Sequence, residues 1–301
     1  MPSCTRPGWR AIVATTEAHA QIESEPIDPG NSPPLRLMRP LAEFSPDARR
    51  RVRALLCDID DTLTSDGRLT AAAYAALEAL QRAGLRVVPI TGRPAGWCDQ
   101  IARLWPVDAV VGENGAFYFR YDRAARRMLR RYAETEASRA AHREKLAAIG
   151  ARILDAVPGC ALAADQRYRE TDLAIDYCED VPRLPAEAVE RIAALMREAG
   201  LIAKVSSIHV NGWFGAYDKL VMTQRLFAEC FDTDLAARRG EFVFAGDSPN
   251  DAPLFGFFPH SVGVANVRAF AGRLAAEPAY VTRAGSGAGF CELAEFLLKD
   301  R

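Results

Sequence analysis

The chain has 301 residues, of which 49% are hydrophobic and 26% charged, and its formal net charge is −1. That composition fits one large globular domain or two modest ones, and it offers no global field for nucleic acid or an anionic membrane. The seven cysteines form no Cys-x-x-Cys pair, no apolar run reaches the ~18 residues of a membrane span, and the N-terminus lacks the apolar stretch of a secretory signal. The expected setting is therefore reducing and cytoplasmic, without membrane or nucleic-acid partners.

Residues 1–45 read as a flexible extension, because "ESEPIDPGNSPPLRL" is rich in Pro, Gly, Ser and acid and has too little apolar content to bury a core. Met38 could serve as an alternative start. Regular structure is expected from Val52–Ile59, a short apolar run that suits a buried strand. "TAAAYAALEALQRAG" has helical spacing, with Thr70 as cap and Gly84 as stop. "LRVVPITG", "PAGWCDQIARLW" and "DAVVGENGA" follow as strand, helix and strand. Strands alternating with helices imply right-handed crossovers and a parallel sheet.

After Ala116 the rhythm changes. "FYFRYDRAARRMLRRY" reads as a hairpin, and a long polar helix is expected near residues 134–155. "ALAADQRYRETDLAIDYC", a helix near Ala186–Ala199, and "LIAKVSSIHV" complete an α+β unit with antiparallel strands. The α/β rhythm returns with a helix at Asp218–Phe231, the strand "EFVFAGD", then "SVGVAN", "AYVT" and a final helix. The expected organisation is an extension at 1–45, a parallel-sheet core at 46–117 and 213–301, and an inserted α+β domain at 118–212.

Four motifs fall in order on the expected strand ends, where ligands of open α/β sheets bind. In "LLCDIDDTLT", Asp58 and Asp60 lie two apart, which in an extended segment puts both carboxylates on one side. Such a pair suits a nucleophile and an acid/base; a turn rich in Asp is the plainer reading. Thr91 in "ITGR", with the backbone N–H of Gly92 after it, could hold an anionic oxygen; a capping role is the alternative. Lys219 opens a helix in "AYDKLVMTQRLF" and is a point charge suited to phosphate, although most lysines are simply solvated. "FVFAGDSPNDAPLF" delivers Asp247 to a strand end, with Asn250 and Asp251 in a tight turn, an oxygen set that suits Mg²⁺.

Together, "DIDDT", "ITGR", "DK" and "GDSPND" resemble the four motifs of the haloacid dehalogenase-like (HAD) phosphohydrolases. The resemblance covers roughly residues 50–117 and 213–300, and implies a Rossmann-like α/β core. It implies that Asp58 is the nucleophile and Asp60 the acid/base. Thr91, Gly92 and Lys219 would hold the phosphoryl group. Asp58, Asp60 and Asp247 would bind Mg²⁺, supported by Asn250 and Asp251. An α+β cap between the second and third motifs resembles subclass IIB. That group includes sucrose-phosphate, trehalose-phosphate and mannosyl-3-phosphoglycerate phosphatases, eukaryotic-type phosphomannomutases and Cof-type enzymes. "GENGA" resembles its third-strand segment; Leu220 departs from the glycine that many relatives carry after the lysine.

The implied activity is Mg²⁺-dependent hydrolysis of a small phosphorylated metabolite, a sugar phosphate foremost, through an aspartyl-phosphate. A phosphomannomutase-like mutase shares the apparatus, and a catalytically silent binding protein would not need Asp60. A P-type pump would need membrane spans, and a halide leaving group would not need the proton of Asp60. Asn114, His209 and Asn211 are the candidates for specificity, the last two alternating along one strand face. "AGSGAGF" has the look of a nucleotide loop, but the chain ends too soon for the acidic ribose partner. The arginines of "RYDRAARRMLRRY" read as one solvated hairpin face.

Overall fold

The computed structural model describes residues 38–299 and residue 301. In chain order the strands and helices are β1 (Arg39–Pro40), α1 (Pro46–Arg51), β2 (Ala54–Cys57), α2 (Ala71–Arg82), β3 (Arg86–Pro89), α3 (Ala95–Leu104), β4 (Val110–Gly112), β5 (Phe117–Asp122) and β6 (Arg127–Tyr132). They continue as α4 (Glu136–Ala156), β7 (Ala161–Leu162), β8 (Asp172–Asp176), α5 (Ala186–Glu198), β9 (Ile202–Val205) and β10 (His209–Trp213). The chain closes with α6 (Lys219–Phe231), β11 (Phe242–Gly246), α7 (Ala252–Phe257), β12 (Ser261–Gly263), β13 (Tyr280–Val281) and α8 (Ser286–Leu298).

The main sheet is parallel, in the order β1-β13-β12-β11-β2-β3. Its strands are apolar on both faces because helices cover both. Along β2, Leu55 and Cys57 face one cluster with residues of α2, α3 and α8, while Ala54 and Leu56 face another with residues of α6 and α7. Thr70 caps α2 by accepting the Ala73 N–H, and the backbone turns at Gly84 just beyond the helix.

A four-stranded antiparallel sheet, in the order β7-β8-β10-β9, forms the second layered unit. The period of two divides it cleanly. Leu173, Ile175 and Val210 pack beneath α4 and α5 with Leu146, Ile153, Ile192 and Met196. Asp172, His209 and Asn211 point to the opposite face, yet all are buried. Something polar must cover that face.

Two expectations change. Most of the anticipated extension, residues 1–37, lies outside the described residues, but 38–45 are built into the fold. β1 pairs with β13, and Phe44 stacks on Tyr280 and His260 at ring distances of 4.9 and 4.7 Å. Two apolar anchors, Leu41 and Phe44, suffice to seat a segment too short for periodicity to reveal. The arginine-rich hairpin β5–β6, counted from sequence with the insertion from residue 118, pairs with β4, which meets the main sheet through an Ile90–Val111 bridge. Phe117 and Phe119 point from it into the main core, so it belongs physically with that sheet.

Candidate active site

Asp58 follows the last residue of β2, and its N–H donates to the Ala245 carbonyl on β11. Asp247 follows the end of β11. Adjacent parallel strands thus deliver both carboxylates to one edge of the sheet. Asp251 joins them through the turn after Asp247. Ligand oxygens of Asp58, Asp247 and Asp251 all lie within 4.8 Å of one another, and all are buried. Gly246 makes this possible, because a Cβ there would come 2.5 Å from Asp251 Oδ2.

Lys219, the first residue of α6, reaches into this cluster. Its Nζ lies 3.0 Å from Asp58 Oδ1 and 2.9 Å from Asp251 Oδ1. Asp218 caps the helix by accepting the Val221 N–H. The "GENGA" turn sets the helix start: Gly115 has φ +103°, and a Cβ there would run into the Asp218 carbonyl. Leu220 therefore leaves the lysine well placed.

One ammonium faces three carboxylates. Burial pushes Asp58 up to about 7, against the pull of Lys219 and with the charge of Asp251 adding. Burial, then Asp251 and Asp58, push Asp247 well above the carboxylate range. Burial works against the Lys219 ammonium, but Asp251 and Asp58 outweigh it and push its pKa up. Asp251 is already committed: besides Lys219 it accepts the N–H groups of Asp247 and Ser248. Asp247 accepts from Thr62 Oγ1 at 2.9 Å and Asn266 Nδ2 at 3.3 Å. Buried, under-neutralised oxygen donors of this kind are what a hard divalent cation requires.

Asp60 lines the same cavity as Asp58, as the two-residue spacing expects, but it is brought there by a turn. β2 ends at Cys57, and Asp61 has φ +56°, so residues 58–61 turn instead of alternating. The Asp60 carboxylate goes to Arg93, with contacts of 2.8–3.0 Å to Nε and NH2. Its carboxylate is not in the cluster of Asp58, Asp247 and Asp251 that could hold a metal ion.

Thr91 is fully buried, its Oγ1 accepting the Arg93 N–H at 3.0 Å. Gly92 lines a cavity with Asp58, Asp60, Arg93, Arg169, Ser206, Ser207, Ile208, His209, Asn211 and Asn250. Asn250 Oδ1 accepts from Ser248 Oγ at 2.8 Å. His209 and Asn211 arrive from the face of the four-stranded sheet left uncovered by its helices. Asn211 Nδ2 donates to Asp172 Oδ2 at 2.9 Å. His209 Nε2 lies 2.9 Å from Glu179 Oε2, within ion-pair range although off a hydrogen-bond line. Asn114 is not at the cavity: it packs under Gly92, 3.2 Å from where a Cβ would stand, and its buried Nδ2 has no partner among the described residues.

Sequence reasoning passed over Arg93, Glu179, Asp165, Arg169 and Asn266. Arg93 was visible inside "ITGR". The others are ordinary polar residues in loops or, for Asn266, in a short 3-10 helix, brought in by tertiary contacts that no local pattern encodes.

A family model for haloacid dehalogenase-like hydrolases matches residues 55–143. No curated protein matches the chain in sequence. Among solved structures, a Thermoplasma acidophilum protein is similar with a TM-score of 0.61 at 17% identity, over 82% of this chain and 98% of that one. The sucrose-phosphatase of Synechocystis, solved with sucrose and phosphate, gives 0.55 at 16%, over 81% and 97%. A HAD subclass IIB sugar phosphatase gives 0.54 at 15%, over 81% and 98%. The match to the haloacid dehalogenase-like model spans residues 55–143, and over most of the chain the fold is similar to that of solved haloacid dehalogenase-like proteins. Within that class, its fold is similar to those of the subclass IIB sugar and sucrose-phosphate phosphatases.

Proposed function

We propose that the protein is a Mg²⁺-dependent phosphatase of a small phosphorylated metabolite, a sugar phosphate foremost, acting through an aspartyl-phosphate. The observation that carries this is the placement of Asp58: a buried carboxylate held by Lys219, beside Asp247, facing a cavity roofed by His209 and Asn211. The division proposed is a core that takes in residues 38–45 and the β5–β6 hairpin and resumes after β10, with a cap running from α4 to β10, and the setting proposed is cytoplasmic.

Asp58 gives one oxygen to Lys219 and has the other to attack phosphorus. Lys219 lowers the repulsion between carboxylate and phosphoryl group. Thr91 accepts from Arg93 N–H, so its own proton is left to donate to a phosphoryl oxygen, with the Gly92 N–H beside it. Asp60 protonates the leaving oxygen, then takes the proton of the water that opens the intermediate. Asp58 and Asp247 would hold the Mg²⁺, with Asp251 and Asn250 supporting the turn that presents them. When bound, the ion neutralises charge on the phosphoryl oxygens. Ser206, Ser207, His209 and Asn211 face the leaving group with donors and acceptors suited to hydroxyls.

The test is a screen of phosphorylated sugars and nucleotides with Mg²⁺, following inorganic phosphate. Phosphate release from sugar phosphates is expected. Transfer dependent on a bisphosphate activator, without net release, would instead make the protein a mutase; no turnover of any ester would leave a binding role.

A further inference from the structure

Arg93 touches both layers of the molecule. Its Nε and NH2 hold the Asp60 carboxylate of the core. The same NH2 donates to Glu179 Oε1 at 2.7 Å, and NH1 lies 3.5 Å from Glu179 Oε2 and from Asp165 Oδ2, both on the inserted unit. Trp97 supports the guanidinium face at 4.5 Å from its ring centroid. Arg93 is 4% exposed, so these contacts are made largely out of water. Arg169 ties down the same boundary: it binds Asp165 and Asp172 on its own unit and donates to the Gly92 carbonyl at 2.8 Å. The cavity at this boundary measures only about 20 Å³, room for little more than one water. The Arg93–Glu179 contact thus joins the inserted unit to the core beside a cavity too small for a sugar phosphate.

Burial pushes the Glu179 carboxyl up, but its contacts with His209 and Arg93 outweigh this and hold it at about 2. The carboxylate on the cap side therefore stays charged and competes with Asp60 for one guanidinium. A planar fork with its face supported can bridge two carboxylates only in a fixed mutual geometry.

We propose that Arg93 is a positioning residue that sets Asp60 for proton transfer when the cap closes, with Glu179 as its partner on the cap. This rests on the phosphatase reading given above. With the cap open, Arg93 and Asp60 form a core pair alone. With it closed, Glu179 and Asp165 draw on the same guanidinium and fix the place of Asp60 against the leaving oxygen.

The experiment compares wild type, Arg93→Gln, Arg93→Lys and Glu179→Gln with Mg²⁺, using a sugar phosphate and p-nitrophenyl phosphate. p-Nitrophenolate leaves without needing a proton, so Asp58 can still form its acyl phosphate as that P–O bond breaks. Opening the intermediate needs Asp60 to accept a proton from water as the bond from Asp58 to phosphorus breaks. Arg93→Gln should therefore lower kcat on the sugar phosphate by roughly 10–100-fold. With p-nitrophenyl phosphate it should show a burst of about one equivalent followed by slow turnover. Arg93→Lys, which keeps the charge but not the fork, should share the burst and covers the case that the glutamine variant does not fold. Glu179→Gln should raise KM several-fold more than it lowers kcat. Variants that match wild-type kcat, or that slow both phases equally without a burst, overturn the inference alone. A wild type that forms no acyl phosphate and releases no phosphate overturns the inference together with the phosphatase reading.

Discussion

Asp58 occupies a position that is costly unless it is used. A carboxylate at the end of a buried strand, pushed up to about 7 by burial, has Lys219 as its counter-charge and two further acids beside it. On the proposed reading Asp58→Asn removes the nucleophile while keeping the shape, and phosphate release should fall by about 10³-fold or more. An unchanged thermal midpoint alongside would show that the fold survives; near-wild-type release would end the assignment. Lys219→Met should be as damaging to activity and harder on the fold, because it leaves Asp58 and Asp251 facing each other without a cation. Breaking a buried pair in this way costs about 3–5 kcal/mol, and a denaturant midpoint shift measures it. Excess EDTA should stop turnover and added Mg²⁺ restore it; the metal should also raise the melting midpoint of wild type more than that of Asp247→Ala. Midpoints that respond equally would remove Asp247 from the metal site. At this scale the four motifs were legible, because residue type and order carry them. Asp60 reaches the cavity beside Asp58 as its spacing suggests, but by a turn because β2 stops at Cys57, and its carboxylate lies outside the cluster of Asp58, Asp247 and Asp251.

Elements with long periodicity were the easier part. Thr70 caps its helix as its sequence position indicates, and Asp218, read from sequence as the first helical residue, is a cap as well, each accepting the backbone N–H three residues on. The alternation of His209 and Asn211 on β10 also holds, and both side chains reach the cavity. Residues 38–51 were not legible: β1 and α1 are short, and tertiary contacts of Leu41 and Phe44 decide them. The "GENGA" turn is the element that couples sheet to lysine. Glu113, buried within it, accepts the N–H groups of Ala95, Glu170 and Thr171 together with the Thr171 hydroxyl, joining the core to the inserted unit. Glu113→Gln puts an amide donor among these donors and should cost about 1–3 kcal/mol, read as a lower melting midpoint. Gly115→Ala should act differently. Its Cβ meets the Asp218 carbonyl, which must move and take Lys219 with it. Activity should drop more steeply than stability, and an unchanged kcat would show that the turn does not set the lysine.

At the scale of the whole molecule, the proposed reading divides the work between the sheet edge and a cover that opens and closes. On the proposed reading the sheet edge holds the phosphoryl chemistry, and the four-stranded sheet brings His209, Asn211, Ser206 and Ser207 to the cavity beside Asp58. A cavity of about 20 Å³ cannot admit a sugar. On that reading entry requires opening, and closure supplies contacts to the leaving group. The linkers that allow this run near Glu134 and Gly215, where a Cβ on Gly215 would come 2.8 Å from Glu134 Oε1. Asn211 already gives its amide to Asp172, and His209 sits against Glu179, so substrate hydroxyls would exchange for partners of the same kind at little net cost. His209→Ala and Asn211→Ala should each raise KM and reorder the ranking of sugar phosphates, by about tenfold for a substrate that uses the missing group. p-Nitrophenyl phosphate, whose leaving group makes few contacts with the cap, should be affected less. If both variants keep the wild-type ranking, the face of the four-stranded sheet does not read the substrate. Ser206 and Ser207, at the lip of the same cavity, would then be the contacts to replace next.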